Sequence, residues 1–274
     1  RLVGAPLMFT NNGATMPVLT NAGGLTVVIS NDVIIATNLT HVGSTPRLDG
    51  SVSLGGSTRS ISSFSSAATW SKAIIGGAVG NGGLLKTGGG SLELAGANTY
   101  ALGTLVNGGT LQFDSAASIG GAGANVTNSG GAMAINFPGF AAAMGRMSLL
   151  ASGSLAISAS NSAEAINFSS ALFTNTHLAA CGTITNNLGL HTPNINFAAT
   201  GSNIWRLGGG DGTLVVTNPI TGGDCVIIGG GGLYGVVRLA NSNSYTGFTT
   251  VQNGTYLSVA TNHTTLGRSS MIVM

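Results

Sequence analysis

Residues 84–120 read LLKTGGGSLELAGANTYALGTLVNGGTLQFDSAASIG, and the same punctuation returns at residues 237–267, VRLANSNSYTGFTTVQNGTYLSVATNHTTLG. Leu92, Leu94, Asn98, Tyr100, Thr104 and Val106 meet Val237, Leu239, Asn243, Tyr245, Thr249 and Val251 at a constant offset of 145. One extra residue near Tyr256 moves the offset to 146, so that Leu111 and Phe113 meet Leu257 and Val259. The insertion falls at a turn and keeps the inward face apolar, since a one-residue slip inside a strand would turn every side chain over.

Inside the first copy a shorter period appears. Leu92 and Leu94 are followed 19 residues later by Leu111 and Phe113, with Asn98 and Asn107-Gly108-Gly109 as corners and Thr104-Leu105-Val106 as a short strand between them. Asn and Gly tolerate the left-handed backbone angles that tight corners need. A winding of about 20 residues orders more chain than its few buried apolar side chains offset, so it has to stack on others like it. The expected architecture is all-β, a β-solenoid of stacked coils.

The two segments resemble the passenger-associated repeat of bacterial autotransporters. The resemblance rests on Lys86, Thr87, Gly88, Gly90, Leu92, Leu94, Gly96, Asn98, Thr99, Tyr100, Gly103, Thr104, Val106, Gly109 and Leu111. In the second copy the Lys-Thr-Gly opening is missing, and Asn241 and Ser244 stand where Gly and Thr would. The resemblance implies a right-handed parallel β-helix in a large extracellular or cell-surface protein, and it brings no catalytic residue.

A second pattern surrounds the motif. Leu54-Gly55-Gly56 and Ile74-Ile75-Gly76-Gly77 match Leu207-Gly208-Gly209 and Ile227-Ile228-Gly229-Gly230 at an offset of 153. With no Pro-rich or charged linker in view, residues 1–274 read as one continuous solenoid holding two repeats of about 150 residues. Residues 121–205 are the least repetitive. There Pro138, Phe140, Met144 and Met147 have helical spacing, and a short decorating helix is expected near 139–148. The last residues, Gly267 to Met274, resume the strand that follows the first motif, and neither terminus shows a polar or helical cap. Both ends are expected to continue, into the same polypeptide or into the next subunit of a head-to-tail filament.

Composition narrows the function. Of 274 residues 45 are Gly and only 6% are charged, against about a quarter in ordinary domains, while mean hydropathy is +0.40. The chain is therefore solubilised by Ser, Thr and Asn, and rods so poor in repulsion are expected to associate side by side. The nine basic residues form no cluster that would attract nucleic acid. The longest apolar stretch, residues 134–151, carries Asn136, Pro138 and Arg146 and falls short of a membrane span. The chain opens at Arg1 and shows no signal peptide, which reads as a mature or excised piece.

Candidate chemistry is sparse. Parallel β-helices that cleave acidic polysaccharides need converging carboxylates. Here the seven acids, Asp32, Asp49, Glu93, Asp114, Glu164, Asp211 and Asp224, are nowhere closer in sequence than 13 residues, and Asp211 and Asp224, which stacked coils could bring together, read as solvated corner residues. Gly230-Gly231-Gly232-Leu233-Tyr234-Gly235 fits GxGxxG, but Val236-Val237-Arg238-Leu239 after it is a strand, where a phosphate cradle needs a helix. Gly208-Gly209-Gly210-Asp211-Gly212 resembles a calcium coil that works only by repetition, and reads as a turn. His41, His177, His191 and His263 lack metal spacing and are expected in loops or facing solvent. Cys181 and Cys225, about two coils apart, are expected as free thiols.

The residues singled out are Leu92, Leu94, Asn98, Tyr100, Val106 and Leu111 with Val237, Leu239, Asn243, Tyr245, Val251 and Leu257, in a structural role and with no cofactor. Asn at an inward corner is suited to bonding the backbone of a neighbouring coil, and Tyr supplies apolar area with one polar tip. The function expected is a non-enzymatic scaffold segment of an extracellular bacterial fibre or surface protein, with itself as partner. An adhesin binding glycan or host protein along one face is the second expectation, and a polysaccharide-degrading enzyme the third.

Overall fold

Short β-branched and leucine-rich runs end at Asn, Asp or Gly throughout the chain, so each strand is only a few residues long and must find its partners one coil away. The computed structural model describes residues 4–11, 15–21, 26–43, 46–63, 68–70, 74–75, 82–139, 143–149, 153–167, 169, 175–181, 183–186, 194–195, 203–230, 235–252, 255–259 and 272–273. Among these the structure is β-strand and turn, apart from a 3-10 turn at Ala116–Ile119 and a helical pair at 143–144. Strands pair in parallel with the strand one coil on. The exception among the described residues is Asn194–Ile195, antiparallel to Asn203–Gly210. The fold is a parallel β-solenoid, and its chain divides into two compact units.

Unit 1 comprises Arg1–Ser129 and Ile135–Ser148. Its coils contribute to three stacks of strands. The first runs Leu7–Phe9, Val33–Ile35, Val52–Ser53, Ile74–Ile75. The second runs Val18–Asn21, Leu39–Gly43, Thr58–Ser63, Gly83–Thr87, Thr104–Val106, Val126–Asn128, Met147–Leu149. The third holds Val27–Ile29, Pro46–Leu48, Ala68–Trp70, Ser91–Leu94 and Thr110–Phe113.

The register of these stacks explains the core. Leu92 pairs with Leu111 and Leu94 with Phe113, and all four are fully buried, while Glu93 and Gln112 between them are half-exposed. In the second stack the buried line runs Leu39, Ile61, Lys86, Val106, Asn128, each paired with the next. A charged and an amide side chain thus share an interior column with three aliphatic ones.

Of the helix expected near 139–148, only the pair at 143–144 is helical among the described residues, and residues 140–142 lie outside them. The strand Met147–Leu149 takes over at once, because Val126 N already donates to Arg146 O at 2.9 Å.

Unit 2 comprises Gly130–Ala134 and Leu149–Met274. One of its stacks includes Gly153–Ile157, Thr176–Ala180, Asn203–Gly210, Cys225–Ile228, Thr249–Val251 and Ile272–Val273, and the other is Thr183–Asn186, Thr213–Val216, Val236–Leu239, Tyr256–Val259. Gly153–Ile157 and Thr176–Ala180 are buried along all of their residues. Strands covered on both faces lose the alternation of a half-exposed strand and read as small and apolar runs, as GSLAI and THLAA largely do. Ala134, Ala156 and Ala179 form one packed cluster there, with Cys181 against it.

Candidate functional site

The coil that carries the repeat is held at its corner by Asn98. After the strand Ser91–Leu94 the chain turns, and Asn98 is drawn in to 5% exposure. Its backbone N donates to Ala117 O at 2.9 Å, and its side-chain Nδ2 donates to Ser118 O, both one coil on. The acceptors sit on the 3-10 turn Ala116–Ile119, which Ser115 and Ser118 close by a reciprocal capping box.

Tyr100, fully buried, follows. Its hydroxyl lies 2.6 Å from Thr104 Oγ1 and 3.5 Å from Ile119 O. Its ring packs on Gly120, where a Cβ would fall 3.2 Å from Cε2. Burial pushes the phenol up to about 12, with the Thr104 hydroxyl and the Arg146 charge opposing that rise. Arg146 completes the corner by donating from Nη2 to Gly120 O at 3.1 Å, Gly121 O at 2.6 Å and Ala124 O at 2.9 Å.

The second copy reuses these parts. Tyr245 is fully buried, its hydroxyl 2.7 Å from Thr249 Oγ1, and burial raises its phenol as well. Asn243 is buried too, but its Oδ1 accepts from Ile220 N at 2.8 Å, on the coil before. Nδ2 donates within its own corner, to Asn241 O at 3.1 Å. Leu92, Leu94, Val106, Leu111, Val237 and Leu239 are fully buried or nearly so, whereas Val251 and Leu257 are half-buried.

Lys86 was legible only as part of the motif, and its place in the molecule is unlike that of an ordinary strand lysine. It is fully buried in the interior column, and Nζ donates to Thr87 O at 2.7 Å, Gly88 O at 3.0 Å and Gly108 O at 3.1 Å. Three acceptors match the three hydrogens of an ammonium. Burial nonetheless pulls its pKa down to about 7. In the second copy Ile228 pairs with Val251 as Lys86 pairs with Val106, and the place is apolar and buried. The sequence signal was the lost Lys-Thr-Gly opening.

Glu93 lies within the strand Ser91–Leu94, and several aspartates bind polar groups of nearby residues. Asp32 Oδ1 accepts from Ser51 N at 2.9 Å, Asp114 Oδ1 accepts from Gln112 and Asn136, and Asp224 accepts from Asn203 Nδ2 and Trp205 Nε1. Asp49 pairs with Arg47 at 2.7 Å. Among the described residues no group of three His, Cys, Asp or Glu side chains converges as a metal site would need, and no helix is long and apolar enough to cross a membrane. Gly208 and Gly210 lie in the strand Asn203–Gly210, Val236–Leu239 is a strand, and residues 231–234 lie outside the described residues. Cys181 and Cys225 are not disulfide-bonded.

Two of the histidines correct the expectation of loop or solvent positions. His41 and His177 are buried in strands, at 2% and 7% exposure: His41 on the inward face of Leu39–Gly43, whose Val42 is exposed, and His177 in Thr176–Ala180, which is buried along its length. His41 Nδ1 lies 3.4 Å from Ser63 Oγ. His191 and His263 fall outside the described residues.

What this arrangement does is mechanical. Its polar side chains satisfy backbone groups that a corner leaves open, so that successive coils close without water. No curated protein and no solved structure matches the chain. Residues 84–113 and 235–255, which take in the coils of Asn98–Tyr100 and of Asn243–Tyr245, each match the family model of the passenger-associated-transport-repeat.

Proposed function

We propose that the chain is a non-catalytic scaffold segment of an autotransporter-type passenger, displayed on the bacterial surface or released from it. The observation that carries this reading is the way the repeat uses its polar residues. Asn98, Asn243 and Lys86 are spent on backbone groups, and Tyr100 and Tyr245 on the hydroxyls of Thr104 and Thr249. A coil built this way adds length and stiffness, and leaves its neighbours free to carry whatever the parent protein presents.

Self-association belongs to the same proposal. The strands Leu7–Phe9, Val18–Asn21 and Val27–Ile29 each pair on one edge among the described residues, and Met8, Val18, Val27 and Val28 are exposed beside them. An open parallel edge with apolar residues takes a further coil of the same kind.

The test is antibody labelling of intact producing cells and of their medium, with negative-stain imaging of the labelled material. Surface or released label on elongated particles supports the scaffold. Label confined to the cell interior overturns it, and specific binding on a glycan array would favour an adhesin.

A further inference from the structure

His177 stands in the strand Thr176–Ala180, paired with Ser154 of Gly153–Ile157. Leu178 pairs with Leu207, so Arg206 takes the place beside His177 on the other side. Gly230 lies over the imidazole at φ +104°. A Cβ there would fall 2.7 Å from His177 Cγ, 2.9 Å from Nδ1 and 2.5 Å from Ser154 Oγ, so the position admits glycine alone.

Ser154 gives the ring no help, because its hydroxyl donates to Gly208 O at 3.1 Å. Among the described residues neither ring nitrogen of His177 has a hydrogen-bond partner, and neither has Nη1 of Arg206. Buried polar atoms left this way are costly in one protonation state and costlier in the charged one.

Among the described residues the neighbours offer no counter-charge. Gly153–Ile157 and Thr213–Val216, both packed on this strand, contain no titratable residue, and Gly229 and Gly230 have none to offer. Asn203–Gly210 contributes one charged group, the Arg206 guanidinium, of the same sign as an imidazolium.

We propose that His177 is an acid-sensitive latch: protonating it places an unpaired cation in a buried position beside the half-exposed Arg206 and drives the Gly229–Gly230 segment off the two strands beneath, opening unit 2. Burial, then Arg206, push the imidazole down to about 4, while the Gly153 backbone favours the charged ring without reaching hydrogen-bond geometry. The opened chain takes its proton near 6.5 and the closed one only near 4. The closed form is therefore at full strength above pH 6.5 and weakens as pH falls through the window to 4. At tenfold per pH unit this is roughly 300-fold in the folding equilibrium.

The experiment is urea unfolding at pH 7 and pH 4 in a Trp70→Phe background, so that Trp205, on the same strand as Arg206, reports on unit 2. Comparison with His177→Leu and His177→Gln isolates the latch, since every other acid-titrating group is common to all three. Because the closed form is itself half-protonated at about pH 4 and the opened form already partly protonated at pH 7, the parent should lose roughly 100-fold more than either variant between the two. Equal losses in all three overturn the proposal. Should neither variant fold, the imidazole resonances of the parent decide: an imidazole neutral down to about pH 4 supports the latch, and one titrating near its ordinary value overturns it.

Discussion

At the scale of single residues, the interior is held by polar groups that sequence alone would send to the surface. Lys86 replaces what would be an aliphatic link in the column Leu39, Ile61, Val106, and closes three carbonyls in exchange. Lys86→Met keeps the apolar stem and removes the donors, so it should destabilise unit 1 by about 1–3 kcal/mol, measured by urea unfolding; an unchanged midpoint would show the carbonyls content with water. Tyr100 answers to pH instead. Its phenol is raised in the fold to about 12 from 10.0, so the folded chain holds that proton more tightly than the unfolded one. The corresponding stability is complete below pH 10 and lost as pH climbs to 12, about 2–3 kcal/mol in all. Tyr100→Phe should cost about 1 kcal/mol near pH 7 through the bond to Thr104, and should flatten the alkaline loss. A variant that falls as steeply as the parent between pH 10 and 12 would contradict this assignment.

At the scale of the element, corners decide whether coils can approach. Gly109 has φ +60°, and a Cβ on it would sit against Gly90 O and 2.5 Å from Gly88 O, both on the coil before. Gly123 has φ +89° with nothing within 4 Å of a built Cβ. Gly123→Ala therefore bears only backbone strain, about 1–2 kcal/mol, while Gly109→Ala must also push two coils apart, about 3 kcal/mol or more. Chemical denaturation of the two variants checks the order, and equal costs would mean the coils are not in close contact there. The same corners mark how far the fold could be read in advance. Leu92 and Leu94 recur as Leu111 and Phe113 because stacked coils impose a period, and periods are visible in a sequence. Lys86, His41 and His177 were not visible. What buries them comes from other coils: Gly108 below the lysine, and Gly230 above the imidazole. No local pattern announces those contacts. Residues 121–205 were obscure for a related reason, since strands covered on both faces lose the alternation by which a strand is recognised.

At the scale of the whole chain, charge is the quantity that stands out. Nine basic and seven acidic residues in 274 leave a net charge of +2, so two copies approaching each other meet almost no long-range repulsion. Short-range forces decide the outcome. Met8, Val18, Val27, Val28, Leu102 and Tyr256 are exposed apolar side chains on otherwise Ser-, Thr- and Asn-rich coils. Side-by-side association should therefore grow with protein concentration and persist when salt is raised across the range that screens surface charge, from about 0.05 to 0.5 M. Light scattering over that series checks it. Dispersal by added salt would mean that ion pairs, not apolar contact, join the copies. Full dispersion at every salt and concentration would mean the polar coil surface is well enough hydrated to keep such chains apart without charge. A Val28→Lys substitution separates the two. It adds one positive charge on the strand Val27–Ile29 and removes an exposed apolar side chain, and it should weaken association at low salt, with the loss partly recovered as salt screens the new charge.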